Sequence, residues 1–290
     1  MTKRWETSKE QLRRHSLPSG GLQRAPPDPQ LPVQDTSWPS DASLDDFVGD
    51  WQLWQRKGGH RTSIDDLLVA WSAVRRWREQ ETQAPQRYVD LGCGIGSVML
   101  MVAHALRPNE TRGVEAQEQS VTMARRTIDG LNAAPNIEVV GGDLRSIGPD
   151  EVGKARLVTG SPPYFPVGTA TPSPDPQRAA CRVELRGGVE AYCEAAARVL
   201  NASGTFHVVF QTIWDERVLN GAISAGLHLV ERDDVWMREE RHEPFLTAYV
   251  FSKEPVSEPV CRPEWAVRDR DGAPTATYQA MRRQMACFGA

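Results

Sequence analysis

The sequence lacks any uninterrupted apolar run long enough to cross a bilayer, and its first residues lack the apolar core of a secretory leader. A membrane protein and a secreted one are therefore not expected. Its five cysteines, Cys93, Cys181, Cys193, Cys261 and Cys287, form an odd set without a CxxC pair. A disulfide framework or a zinc site would need such pairing, so no metal is expected and a reducing compartment, the cytoplasm, is. Excess positive charge is missing too: 34 Lys and Arg face 38 Asp and Glu, for a formal net charge of -4. With no global basic field, a polyanionic partner would have to be met by local patches. One such patch is the N-terminal run of Lys3, Arg4, Lys9, Arg13, Arg14 and Arg24, which the alternative reading makes a solvated tail.

What is present is an ordinary globular composition, 40% hydrophobic and 25% charged. Residues 1–45, rich in Pro, Ser, Gln and Asp and without apolar periodicity, read as a disordered extension; residues 46–290 read as one domain. Trp51-Gln-Leu-Trp-Gln alternates as a strand does, and Lys57-Gly-Gly-His ends it. Leu67, Leu68, Ala70, Trp71, Val74 and Trp77 recur at helical spacing. From residue 87 short strands alternate with helices: strands over 87–91, 111–115, 137–140, 157–159 and 204–210, helices over 97–106, 118–131, 188–200 and 215–225. The end, 227–232 and 247–252, reads as an antiparallel strand pair. This is an α/β pattern implying a mostly parallel sheet covered on both faces, whose ligands bind at the carboxyl ends of its strands.

The motifs fall at those ends. Val89-Asp90-Leu91-Gly92-Cys93-Gly94-Ile95-Gly96-Ser97 is a strand, a glycine turn and a helix start. The glycines run 92, 94, 96, with Ser97 where the dinucleotide fingerprint would require its third glycine. Asp90 precedes the turn by two positions, and a carboxylate there suits the ammonium of a methionine moiety better than a pyrophosphate. Glu115 ends the second strand, where a carboxylate can accept both ribose hydroxyls. Asp143, after the third strand, could accept from an adenine amino group while Leu144 covers the ring. Taken singly, each acid is more often a helix cap or a solvated loop carboxylate. Together they mark a cofactor pocket.

After the fourth strand comes Ser161-Pro162-Pro163-Tyr164-Phe165. Two prolines remove two backbone N–H donors, so the turn offers acceptors only. Ser161 Oγ and the Pro162 carbonyl could then hold the two hydrogens of an exocyclic amine and aim its lone pair. Tyr164 would stack on the base, and Phe165 could close the other side; such stacking contributes roughly 1–3 kcal/mol per base. The plain alternative is a rigid surface turn with a core aromatic.

The alternating glycines with their preceding acid, and the later acids, resemble the class I S-adenosylmethionine methyltransferases. Ser-Pro-Pro-Tyr resembles the (Asn/Asp/Ser)-Pro-Pro-(Tyr/Phe/Trp) motif of amino-methyltransferases, in which Ser is commonest in cytosine-N4 DNA enzymes and Asn is usual in adenine enzymes acting on RNA. Over residues 48–287 the chain further resembles the bacterial tRNA(1,Val) adenine-N6 methyltransferases. Its segment 60–70 is similar to their element before the glycine loop, which implies cofactor roles for Arg61, Ser63 and Asp65. Arg178, Ala180 and Arg182-Val183-Glu184 are similar to their arginine-rich stretch, which implies substrate contacts by Arg178 and Arg182; Glu239–Pro244 and Tyr278-Gln279-Ala280 match in order. The resemblance implies a Rossmann-like, mostly parallel seven-stranded sheet with an antiparallel final strand, S-adenosylmethionine as cofactor, Ser161 beside it, and tRNA as partner of a monomer that methylates adenine N6. Protein-glutamine, cytosine-N4, DNA or rRNA methylation and a non-catalytic S-adenosylmethionine- or RNA-binding scaffold remain the competing readings; a small-molecule acceptor fits least.

Overall fold

The computed structural model describes residues 37–131, 136–169, 171 and 173–287; the N-terminal basic run lies outside the described residues. The first strand, β1 (Ala42–Val48), forms an antiparallel hairpin with β2 (Trp51–Arg56), so regular structure begins a few residues before the expected boundary at 46. The hairpin is docked: Trp54 N–H donates to Thr127 Oγ1 at 3.1 Å, and the Arg126 guanidinium covers the rings of Trp38 and Trp54. It delivers the chain to α1 (Ile64–Gln80), whose start is specified locally. Ser63 is the N-cap, Asp66 accepts from its backbone N–H at 3.2 Å, and two acids lie in the first turn against the helix dipole. Leu67, Leu68, Ala70, Val74 and Trp77 are buried, as their spacing predicts. Trp71 is only partly buried; its Nε1–H reaches Gln284 Oε1 at 2.9 Å and ties down the C-terminal helix.

The main layer follows as β3 (Arg87–Leu91), α2 (Ser97–Leu106), β4 (Glu110–Glu115), α3 (Glu118–Asp129), β5 (Ile137–Gly141), a single turn α4 (Pro149–Val152) and β6 (Ala155–Gly160). After it come α5 (Pro176–Arg182), α6 (Val189–Val199), β7 (Leu200–Gln211), α7 (Asp215–Ser224), β8 (His228–Arg238) and β9 (Leu246–Ser252). Two short strands, β10 (Val260–Cys261) and β11 (Trp265–Arg268), and α8 (Ala276–Gln284) complete it.

Among the described residues the sheet has nine strands, in the order β10-β8-β9-β7-β6-β3-β4-β5, with β11 also on β8. The seven expected strands are its body, β9 running antiparallel to both neighbours. The two extra strands, each too short to show a period, extend the outer edge of β8 in parallel. Side chains of β7 alternate between the two layers: Phe206, Val208 and Phe210 pack with α6 and α7, while Val209 packs with α1 and α2. A continuous apolar run is what a doubly covered strand requires.

The edge extension is held by charge. Glu231 of β8, only 1% exposed, receives Arg75 and Arg76 from α1 and Arg262 from the strand extension. Burial raises its pKa, but the three guanidiniums outweigh that and hold it at about 2. A carboxyl depressed in the folded state stabilises above its ordinary pKa, and this contribution is lost as pH falls through about 4 toward 2. Glu231→Gln is expected to cost about 2–3 kcal/mol in urea unfolding at pH 7, since it removes the buried anion shared by three part-buried guanidiniums, and the difference from wild type should shrink at pH 3.

Candidate active site

The register of the two central strands builds the site. Asp90 pairs with Thr159 and Leu91 with Gly160 across β3 and β6. Hence Gly92 and Ser161, the next residues of each, leave the sheet side by side. The glycine turn and the proline corner therefore open into one cavity of about 720 Å³, within the ~300–1,000 Å³ usual for small-molecule sites.

The turn needs its glycines for two different reasons. Gly92, Gly94 and Gly96 have φ of +66°, +57° and +98°, a region L side chains avoid. A Cβ at Gly92 would come 2.1 Å from Tyr192 Oη, whereas one at Gly94 would meet nothing within 4 Å. The space at Gly94 is the cradle itself. Gly96 stands back from the cavity and caps α2.

Four carboxylates converge on the floor. Asp90, 1% exposed, accepts from Thr159 Oγ1 at 2.6 Å; since that hydroxyl has one proton, Tyr88 Oη donates to it in turn, also at 2.6 Å. Asp90 Oδ2 is buried without a hydrogen-bond partner among the described residues. Burial first, then the neighbouring charges of Asp66 and Glu115, push its pKa up to about 7. Glu115 is also raised by burial, although the N–H groups of Gln117 (2.6 Å) and Gly94 (2.9 Å) and the Arg186 charge oppose this. Asp66, raised to about 7 by burial and by Asp65, faces the hydroxyls of Ser97 and Ser161. Asp65, raised by burial, accepts from Tyr164 Oη at 2.7 Å.

The rim has the opposite sign. Lys57, Arg61, Arg178, Arg182 and Arg186 all border the cavity. Asp175 caps α5, accepting from Arg178 N–H at 2.8 Å, and an ion pair at 2.7 Å with Arg56 fixes that cap to the hairpin. The Arg178 and Arg182 side chains, one turn apart on α5, stay exposed. Phe165 is clipped to the end of this helix by a backbone bond from its N–H to the Arg182 carbonyl at 3.0 Å and one from Glu184 N–H at 2.9 Å. The Arg182 guanidinium lies 5.6 Å from its ring centre.

Of the residues singled out in the sequence, Arg61, Ser63, Asp65, Asp90, Gly92, Gly94, Glu115, Asp143, Leu144, Ser161, Pro162, Pro163, Tyr164, Phe165, Arg178 and Arg182 all line this cavity. Three have additional engagements. Arg61 is paired with Asp45 at 2.7 Å, and Asp65 with Tyr164. Asp143 receives Arg145 in a fork, with Nη2 at 2.6 Å and Nε at 3.0 and 3.1 Å. Burial would raise Asp143, but the Arg145 bonds and charge leave it below the usual carboxylate range. Asp66, Arg186, Tyr192, Gln211 and Phe245 line the cavity without having been anticipated. Only Asp66 had a local signal, the Ser-x-x-Asp spacing of a helix cap; the others come from distant strands and helices.

The chain is similar to known proteins in sequence and in fold. The methyltransferase small domain family matches residues 78–171. A tRNA1(Val) (adenine(37)-N6)-methyltransferase from Cronobacter sakazakii is 30% identical over 58% of this chain and 65% of its own length. The chain thus spans just under two thirds of that relative. One of the same name from Bacteroides thetaiotaomicron is 28% identical over 63% of this chain and 73% of its own. A 4-amino-L-phenylalanine/4-methylamino-L-phenylalanine methyltransferase from Streptomyces pristinaespiralis is 32% identical over 40% of each chain. In structure, a predicted O-methyltransferase from Agrobacterium tumefaciens superposes with a TM-score of 0.55 and 19% identity over 78% of this chain and 99% of that one.

The chain has the fold of the class I methyltransferases. It resembles the tRNA1(Val) adenine-N6 methyltransferases in sequence, and S-adenosylmethionine is the cofactor that this likeness suggests. The residues fit that group. A cavity opens where a Cβ of Gly94 would stand, an unpartnered oxygen of Asp90 suits an ammonium, and a floor of buried carboxyls suits a ligand carrying two positive charges. Among the described residues no group of side chains could hold a metal ion, and no helix is long and apolar enough to cross a membrane.

Cationic ligand and carboxyls are linked through the proton. Asp66 and Asp90 are largely protonated below pH 7, and a cation stabilises only their ionised forms. S-adenosylmethionine affinity is therefore expected to rise several-fold from pH 5.5 to 7.5, with proton release at pH 6.5 visible as a buffer-dependent enthalpy in titration calorimetry. Asp90→Asn should weaken binding and flatten the profile.

Proposed function

We propose that the protein transfers the methyl group of S-adenosylmethionine to the exocyclic N6 of an adenine in RNA, and specifically in tRNA. The observation that carries this reading is the opening of the Ser161–Tyr164 corner into the cavity of the Gly92–Gly96 loop. When bound, the cofactor supplies a methyl carbon made electrophilic by a cationic sulfur. The protein's task is then to place a weakly nucleophilic amine, whose lone pair is delocalised into its ring.

The corner has the means for that. Neither Pro162 nor Pro163 has an N–H, and the Pro162 carbonyl accepts no hydrogen bond among the described residues, so it is available to an amine hydrogen. The Ser161 hydroxyl proton faces Asp66, which leaves the oxygen lone pairs for the second hydrogen. Thus a serine can fill the acceptor position where the adenine enzymes usually have asparagine. The Ser161 and Pro162 oxygens keep the amine lone pair aimed at the methyl group, which would pass to it from a cofactor held at the Gly92–Gly94 turn and released as the neutral thioether. The methylated exocyclic nitrogen must then give up one proton, and the Ser161 hydroxyl, which faces ionised Asp66, offers a path to that carboxylate.

Three features favour an RNA base. The rim cations Arg178, Arg182 and Lys57 suit phosphates, and Tyr164 and Phe165 border the corner as stacking groups. No separate DNA-reading domain is present among the described residues. Third, the tRNA relatives recur in the sequence comparison. A base in a folded loop would have to leave its stack to enter. Action on tRNA fits a cytoplasmic protein and equally one imported into an organelle. The competing reading with an observation behind it is an aromatic amine, because the Streptomyces relative acts on one.

Labelled methyl transfer to total tRNA, rRNA, DNA, protein and 4-aminophenylalanine separates these readings. Label is expected in tRNA, as N6-methyladenosine by nucleoside mass spectrometry. Tyr164→Ala should lower the rate by about a hundredfold, as should Asp90→Ala. Label confined to protein or to the amino acid would overturn the acceptor assignment.

A further inference from the structure

Resting on the reading that the Ser161–Tyr164 corner holds the acceptor, we infer that Asp65 is a positioning residue for Tyr164 and not a ligand of the cofactor. The resemblance alone had implied a cofactor role for Asp65. Its carboxylate instead accepts the Tyr164 hydroxyl at 2.7 Å, a bond between residues 99 apart in sequence. The tyrosine ring meets Phe210 of β7 edge-on, with ring centres 5.1 Å apart and planes at 87°. Thus the ring is held at its tip by α1 and at its edge by the central sheet. Neither support is soft. Ser63 and Asp66 close the first turn of α1, and Phe210 is fully buried in a strand paired on both sides.

The two consecutive acids of α1 divide the corner between them. Asp65 takes its fourth residue, Tyr164, while Asp66 faces its first, Ser161. One helix turn therefore bonds the far end of the tetrapeptide and faces its near end. Successive helix residues point about 100° apart, so adjacent carboxylates can serve two targets that a single residue could not. A tyrosine free at its tip would rock about its side-chain torsions, and a base stacked on it would rock with it. Fixing the hydroxyl orients the ring before the acceptor arrives, which acts on the chemical step more than on cofactor affinity.

The test combines Asp65→Ala, Asp65→Asn, Tyr164→Phe and the Asp65→Ala/Tyr164→Phe double variant, each measured for kcat, acceptor KM and S-adenosylmethionine Kd by calorimetry. Asp65→Ala and Tyr164→Phe should each lower kcat about tenfold, with cofactor Kd changed less than about twofold. The double variant should be no slower than the slower single one. Asp65→Asn, which still offers an acceptor oxygen, should recover most of the rate. If Asp65→Ala weakens cofactor binding tenfold while Tyr164→Phe does not, or if the two rate losses multiply, the inference is wrong. Thermal melting of the same cofactor-free variants supplies a second cycle that needs no acceptor. Should wild type transfer nothing to RNA, the acceptor assignment fails by itself and the melting cycle decides for Asp65: non-additive shifts support the bond, additive shifts overturn it.

Discussion

Two parallel strands one ladder apart impose the design of this molecule. Because Leu91 and Gly160 are paired, the backbone leaves β3 and β6 at the same level, and the segments that follow must share one space. A glycine turn and a donor-free proline corner are then adjacent by construction. Parallel pairing with helices on both faces requires the apolar runs seen in β3, β6 and β7, so core and site have the same origin. Disturbing the β3–β6 register would separate the glycine turn from the proline corner whatever became of the individual side chains.

Charge is distributed to match. Buried acids occupy the floor and exposed cations the rim, so the cavity has opposite signs at its two ends. Burying several carboxyls together is unfavourable on its own, and burial raises each of them toward neutrality. A ligand bringing an ammonium and a sulfonium to that floor would relieve the repulsion, while the rim suits a polyanion. The net charge of the whole chain, -4, concealed this arrangement because the two ends nearly cancel.

The sheet body and most of the site could be read in the sequence because the relevant signals are local. Strand β3 and helix α2 were bounded from glycine, Asp90 and the apolar runs around them. Cavity residues near the glycine turn and the proline corner were identified for the same reason. Where contacts are long-range, the sequence was silent. Helix α5 is a seven-residue segment started by Asp175 and held by Arg56, 119 positions earlier, with no apolar period of its own. Strands β10 and β11 are too short to alternate and owe their place to β8 and the Glu231 network. Tyr192 and Phe245 look like any core or surface aromatic until helix α6 and the turn before β9 bring them to the cavity. Asp65 lies in the expected pocket, but its bond to Tyr164 was not legible, because a motif locates a side chain and does not say what it will bond.

A crystal structure of the protein with S-adenosylhomocysteine and adenosine tests the central claim most directly. The account predicts the ligand amino group at Asp90, its ribose at Glu115, and its sulfur turned toward the Ser161 hydroxyl and the Pro162 carbonyl, with the adenosine amino nitrogen between them. Finding the sulfur directed away from the proline corner, or the cofactor outside the Gly92–Gly96 turn, would contradict it.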